Sequence, residues 1–288
     1  MLQVARLAPR LLGESNVLIR DFLLGEQNPD GGFKDRAGRS DLYYTVFAIE
    51  GLLALQHDLP RASLRHYLDT FRCGTQLDLV HACCLARCWS SADCLKSLDD
   101  REALAATIEA FRSRDGGFHP VPGNPSGTAY GAFLALGAYQ DLELPLPRES
   151  DLAGSLDALR TPDGAWANDR GLNSGSTNAA AAAITVCRHL NVPVSPQAGD
   201  WLLARVHPQG GFVAAPGSPL PDLLSTATAL HALAGLDRSF EALKEKTLDF
   251  LDSLWTNQGS FHGHWADDTL DAEYTFYALL ALGHLSLV

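Results

Sequence analysis

Apolar residues recur along this chain with a helical period, and they do so in two alternating styles. Segments such as Ser15–Glu26, Glu102–Phe111 and Ala242–Leu254 are amphipathic, with one apolar face. The segments that follow such stretches are apolar on most faces: Asp41–Leu55, Asp78–Trp89, Ser126–Gly137, Ser174–Leu190, Asp222–Leu233 and Asp271–Leu285. Their wealth of Ala, Leu and aromatic residues predicts helices buried almost all round. Residues 1–12 read as a further helix at the start. Strand signals are poor, because β-branched runs are short and no Asn-Gly hairpin turn occurs.

A turn joins each amphipathic segment to its apolar successor, and that turn repeats. Asn28-Pro29-Asp30-Gly31-Gly32-Phe33 returns as Arg114-Asp115-Gly116-Gly117-Phe118, Pro162-Asp163-Gly164-Ala165-Trp166, Pro208-Gln209-Gly210-Gly211-Phe212 and Asn257-Gln258-Gly259-Ser260-Phe261. From Phe118 onward the aromatics are 46 to 49 residues apart. The gap between Phe33 and Phe118 is nearly two periods, and a worn copy, Phe71-Arg72-Cys73-Gly74-Thr75-Gln76, sits inside it. Six helical hairpins therefore account for the 288 residues. Glycine suits a chain that reverses at a helix end, and the aromatic re-enters the core as an anchor.

Charge narrows the choice of partner. A net charge of −12 disfavours nucleic acid and anionic membrane surfaces. No apolar run is long enough for a transmembrane segment. Five of the six cysteines fall between Cys73 and Cys94, with Cys187 apart, a spacing that suits reduced thiols in a cytoplasmic protein better than a disulfide framework.

Gln27-Asn28-Pro29-Asp30-Gly31-Gly32-Phe33, followed by Asp41-Leu42-Tyr43-Tyr44-Thr45 at the start of an apolar helix, resembles the β subunits of protein prenyltransferases. The same repeats occur in squalene cyclase and other class II terpene cyclases. The resemblance spans almost the whole chain. It implies an all-α fold, one α6/α6 toroid over residues 1–288, whose central cavity holds an isoprenoid or another apolar small molecule. It also implies a helical α-type partner subunit or a peptide at the rim. Protein prenyltransferases hold zinc with an Asp-x-Cys pair and a His at the starts of inner helices. Asp271-Ala272-Glu273-Tyr274-Thr275 is similar at Asp271, and Glu273 stands where the Cys would be. Class II cyclases carry Asp-x-Asp-Asp-Thr there, with the middle acid as proton donor, and Glu273 occupies that place. The resemblance thus implies first a prenyltransferase-like protein that binds an isoprenoid and transfers it at a remodelled metal site, with Asp271 and Glu273 the catalytic candidates, zinc an open cofactor and no metal ligand assigned. A small class II cyclase with Glu273 as general acid and a non-catalytic binding toroid are the alternatives. His264 would stand for one of the basic residues that clamp a diphosphate in the family.

The residues themselves allow plainer readings. Asp41, Asp78, Asp222 and Asp271 each begin an apolar helix, where Asp is a favoured N-cap. His262-Gly263-His264-Trp265-Ala266-Asp267-Asp268 has metal-ligand types without a known ligand spacing. Asp78, His81, Cys84 and Cys88 share one helical face, which suits zinc or an ordinary stripe of buried thiols. Tyr43, Tyr44, Phe47, Tyr130, Phe133, Tyr274 and Tyr277 lie on the apolar helices, as core or as the wall of a cavity. Aromatic walls suit a polyprenyl chain, or a cation formed from one.

Overall fold

The computed structural model describes residues 1–288. Two short helices, α1 (Leu2–Ala5) and α2 (Pro9–Leu12), open the chain, where the sequence suggested one. Pro9 divides them, since its ring clashes with a continuing helix and it has no N–H to donate. Six helical hairpins follow: α3 (Ser15–Gly25) with α4 (Leu42–Ala54), α5 (Arg61–Asp69) with α6 (Leu79–Ser91), α7 (Leu98–Glu109) with α8 (Ala129–Asp141), α9 (Glu149–Asp157) with α10 (Thr177–His189), α11 (Pro196–Leu203) with α12 (Leu223–Gly235), and α13 (Lys244–Leu254) with α14 (Ala272–Leu285). The even-numbered members from α4 onward pack side by side in sequence, and α14 packs back on α4, so the inner helices form a closed ring. The odd-numbered members surround them, and α1 lies across the seam between α14 and α4. This is an α/α toroid. No helix is long and apolar enough to cross a membrane.

The turns also contain extended pairs that the sequence did not signal. β1 (Phe33–Lys34) pairs with β2 (Ser40–Asp41), β3 (Phe212–Val213) with β4 (Pro221–Asp222), and β5 (Trp255–Thr256) with β6 (Ser260–Phe261), all antiparallel. At two residues each, these strands are too short to show a period.

The repeated turn works as a connector between hairpins. Its aromatics, Phe33, Phe118, Trp166, Phe212 and Phe261, are all buried. The Phe33 N–H donates to Thr45 Oγ1 (3.0 Å) and the Phe212 N–H to Thr226 Oγ1 (2.9 Å), tying the turn to the inner helix of its own hairpin. Its glycine lies against the outer helix of the next hairpin: Gly31 against Ser63, Gly116 against Asp151, Gly210 against Lys246. Gly259, in the last hairpin, lies against Leu18 in the first, so the outer layer closes as the inner one does.

Inner helices begin at caps. Asp41, Asp78, Asp222 and Asp271 accept bonds from backbone N–H groups of the first turn, and Thr128 and Ser176 do the same in the remaining two hairpins. All six cysteines are free thiols.

Candidate active site

The ring encloses a lumen of about 760 Å³, running nearly the length of the inner helices. At the end where those helices begin, its wall is aromatic. Tyr43, Phe47, Tyr130, Phe133, Phe276 and Tyr277 face it. Tyr43 meets Phe47 edge to face (4.9 Å between centroids), and Phe47 contacts Tyr277 (5.3 Å) across the α4–α14 seam. Space opens opposite, where α10 presents Ala179, Ala181 and Ala182.

Behind this wall sits an acid. The Tyr43 hydroxyl, itself a wall group, donates to Glu273 Oε1 at 2.6 Å. Burial pushes the Glu273 carboxyl up to about 7; the Tyr43 hydrogen bond and Arg36 pull it down, and nearby Asp271 adds to the rise. The Tyr43 phenol is raised well above its ordinary value, chiefly by burial, and stays protonated. A carboxyl raised by burial and the phenol bonded to it therefore sit together beside the aromatic end of the lumen.

Asp271 is placed differently. It is buried, its Oδ1 accepts from the Tyr274 N–H (2.8 Å), and its Oδ2 accepts from Arg36 Nε (2.8 Å). Arg36 also reaches Asp267 (3.3 Å) and lies over the Tyr274 ring. Asp271 thus caps a helix and anchors the first hairpin's turn across the seam.

Of the residues singled out in the sequence, Tyr43, Phe47, Tyr130, Phe133 and Tyr277 line the lumen together. Tyr44, Tyr274 and His264 do not. Tyr44 packs edge to face beside Tyr43, and Tyr274 is held under Arg36. His264 is in the preceding loop, where its Nδ1 accepts from the Ala266 N–H. The helical face of Asp78, His81, Cys84 and Cys88 also divides. Cys84 lines the lumen and Cys88 is core, with both thiols pushed up by burial. His81 bridges two caps, with Nδ1 2.8 Å from Asp78 and Nε2 3.0 Å from Asp41.

Those two carboxylates, Asp41 first, raise His81 to about 9. A raised histidine stabilises the fold fully below its unfolded value near 6.5, and that contribution is lost as pH rises through 9. With His81 about a third exposed, solvent screening holds the contribution to about 1–2 kcal/mol. Urea titrations should find His81→Gln less stable than the parent by that amount at pH 6, with the difference gone by about pH 10.

The far end of the lumen was not foreseen. Glu50, Arg87, Gln140, Asp141, Arg188, His189 and His231 face it where the inner helices end. Asp141 Oδ2 accepts from Arg87 Nε (2.7 Å), and Glu50 lies 3.9 Å from the same guanidinium and accepts from Ser91 Oγ. Burial pushes Asp141 up to about 6 despite Arg87, and His231 down to about 3. A signal was present: Glu50 is a lone charge inside the apolar run Phe47–Leu53, and Arg87 shares a helical face with Cys84.

Prenyltransferase alpha-alpha toroid domains are matched over residues 12–82, 72–195 and 180–287. The chain belongs to this family. No curated protein sequence matches it. Among solved structures, this toroid is similar to Candida albicans protein geranylgeranyltransferase-I complexed with GGPP (TM-score 0.71, 14% identity, 92% of this chain and 89% of that one). It is also similar to the apo type II terpene cyclase MstE from Scytonema (TM-score 0.68, 14% identity, 96% and 98% coverage). A protein from Actinoplanes matches at TM-score 0.59 and 18% identity, over 94% of this chain and 98% of that one. At such identities the likeness is one of fold.

The zinc that the family resemblance brings in does not fit these residues. Asp271 is closed on Arg36 and Glu273 on Tyr43, and nowhere do three or more His, Cys, Asp or Glu side chains converge as a metal site.

Proposed function

We propose that this toroid binds a linear isoprenoid in its lumen and cyclises it by protonation, with Glu273 as the acid and the Tyr43 hydroxyl as the relay. The Tyr43–Glu273 hydrogen bond at the aromatic end of the lumen carries this reading. A carboxyl raised to about 7 holds a proton near neutrality and can still give it up. In the reaction the Tyr43 hydroxyl turns its proton to the lumen and the protonated Glu273 donates to the phenol oxygen. The Tyr43 O–H bond breaks as a C–H bond forms at one alkene carbon, and the Glu273 O–H bond breaks as the phenol is restored. The other alkene carbon becomes a cation, the next double bond closes on it, and loss of a proton from a neighbouring carbon, to water or back to the Glu273 carboxylate, ends the sequence. The product is an isomer of the substrate. Phe47, Phe133 and Tyr277 line the lumen, and aromatic rings there can stabilise the passing cation. Acid, relay and lumen all lie on this chain, so the reaction needs neither a metal nor a partner subunit.

Incubation with linear polyprenyl compounds in D₂O and excess chelator tests the reading. Cyclised product carrying one deuterium at the ring-initiating carbon is expected. Product that forms only when zinc or magnesium is supplied would sink it. So would a prenyl group transferred intact to an acceptor.

A further inference from the structure

The two arginines of the lumen are held in contrasting ways. Arg87 crosses to α8 beside Gly137 and is neutralised there by Asp141, with Glu50 close by. Arg188 crosses from α10 to α12, where its guanidinium lies over Gly235, and a side chain at that glycine would collide with it. The Arg188 side chain is exposed at the mouth of the lumen, has no acidic partner and makes no hydrogen bond to the protein. The helix dipole favours a cation at the end of α12, which accounts for the charge. It leaves the guanidinium's five donors facing the open end of the lumen with no protein acceptor, free to exchange water for a bound anion. Around it on the same wall are Thr185, His189, Gln140 and His231, and the acids facing this end, Glu50 and Asp141, are already turned to Arg87.

We infer that Arg188 anchors an anionic head group, a carboxylate or a phosphate, at the end of the lumen opposite Glu273. This rests on the isoprenoid reading of the lumen and fixes how the substrate lies in it: head at the helix ends, tail at the aromatic wall. Asn178 and Arg188 face the lumen ten positions apart on α10, about 15 Å along the helix axis. A chain of roughly 12 main-chain carbons, about three isoprene units, spans that distance at ordinary C–C bond lengths. The terminal alkene, the one farthest from the head group, is then the one presented to Tyr43.

Equilibrium binding of farnesol, farnesoic acid and farnesyl monophosphate to the parent protein, Arg188→Gln and Arg188→Lys tests this. The parent should bind at least one of the acids on the order of 10- to 100-fold more tightly than farnesol. Arg188→Gln should remove that preference and leave farnesol binding unchanged, while Arg188→Lys restores part of it. Whichever acid gains more identifies the head group. Retained farnesol binding also reports an intact lumen in the variants. If farnesol binds and the acids bind no more tightly, or if Arg188→Gln weakens all three alike, the anchor falls and the isoprenoid reading stands. If none of the three binds the parent, both fall.

Discussion

Glu273→Gln should lower the rate of cyclisation by about 10²- to 10⁴-fold, the range a positioned general acid contributes. Glutamine fills the same space and can still accept the Tyr43 hydrogen bond, so the lumen keeps its shape and only the proton is lost. In the parent the rate should fall about tenfold per pH unit above about 7, as the Glu273 carboxyl ionises. Tyr43→Phe should approach the same loss while leaving the carboxyl in place, because it cuts the relay. The variant's stability should move the other way. Between its ordinary value of 4.5 and about 7, folded Glu273 holds a proton that the unfolded chain releases. Stability therefore falls as pH rises through that window, by up to about 3 kcal/mol. Glutamine is free of that loss, so Glu273→Gln should melt higher than the parent at pH 8 and about level with it at pH 4. A variant that is inactive and also less stable at pH 8 would mean that Glu273 is a structural group.

Gly210→Ala should be among the most damaging single methyl groups in the chain. Gly210 has φ +98°, which an L side chain rarely adopts, and its added Cβ would run into the backbone carbonyl of Lys246 on α13. A backbone cannot rotate away, so the turn and α13 must separate. A loss of at least about 4 kcal/mol is expected, a large share of a domain's stability. Gly164 occupies the equivalent place in another hairpin with φ +92°, yet nothing lies within 4 Å of a Cβ there. Gly164→Ala should therefore cost only the backbone strain, about 1–2 kcal/mol. Thermal melts of the two variants separate the collision from the dihedral angle; equal losses would refute the collision.

Much of the fold was legible because the repeat states it several times over. Five buried aromatics mark the turns, and the apolar character of the inner helices sets them apart from their outer partners. Element ends were less legible: α8 runs to Asp141 where the pattern had faded by Gly137, because a polar residue at a helix end follows the solvent boundary more than the helical period. Glu273 stood out through its place in a recognisable segment. Tyr43 was read as a wall residue, but its pairing with Glu273 was not legible, since nothing local to either residue joins them. Tyr44 and Tyr274 were singled out with the wall residues because residue type and proximity to a helix start do not reveal rotation about the helix axis, while His264, taken from the resemblance, sits in the loop before α14. The polar end of the lumen was hardest to see. Arg188 and His189 close α10 as basic residues commonly do, and only the ring shows that they face inward.

The seam between α14 and α4 has a consequence for how this protein comes into being. Tyr43 and Glu273 are 230 residues apart in sequence, and Arg36 and Asp271 are 235 apart. Every other neighbouring pair in the inner ring can form once two adjacent hairpins exist, while this one must wait for the whole circuit and bear the largest loop-closure entropy. By sequence separation the Tyr43–Glu273 contact is thus expected to form last. A chain stalled at five hairpins would hold most of the aromatic wall and no proton donor. In an open ring Glu273 would meet water and ionise at neutral pH, so the proposed proton donor would exist only once the circle is complete.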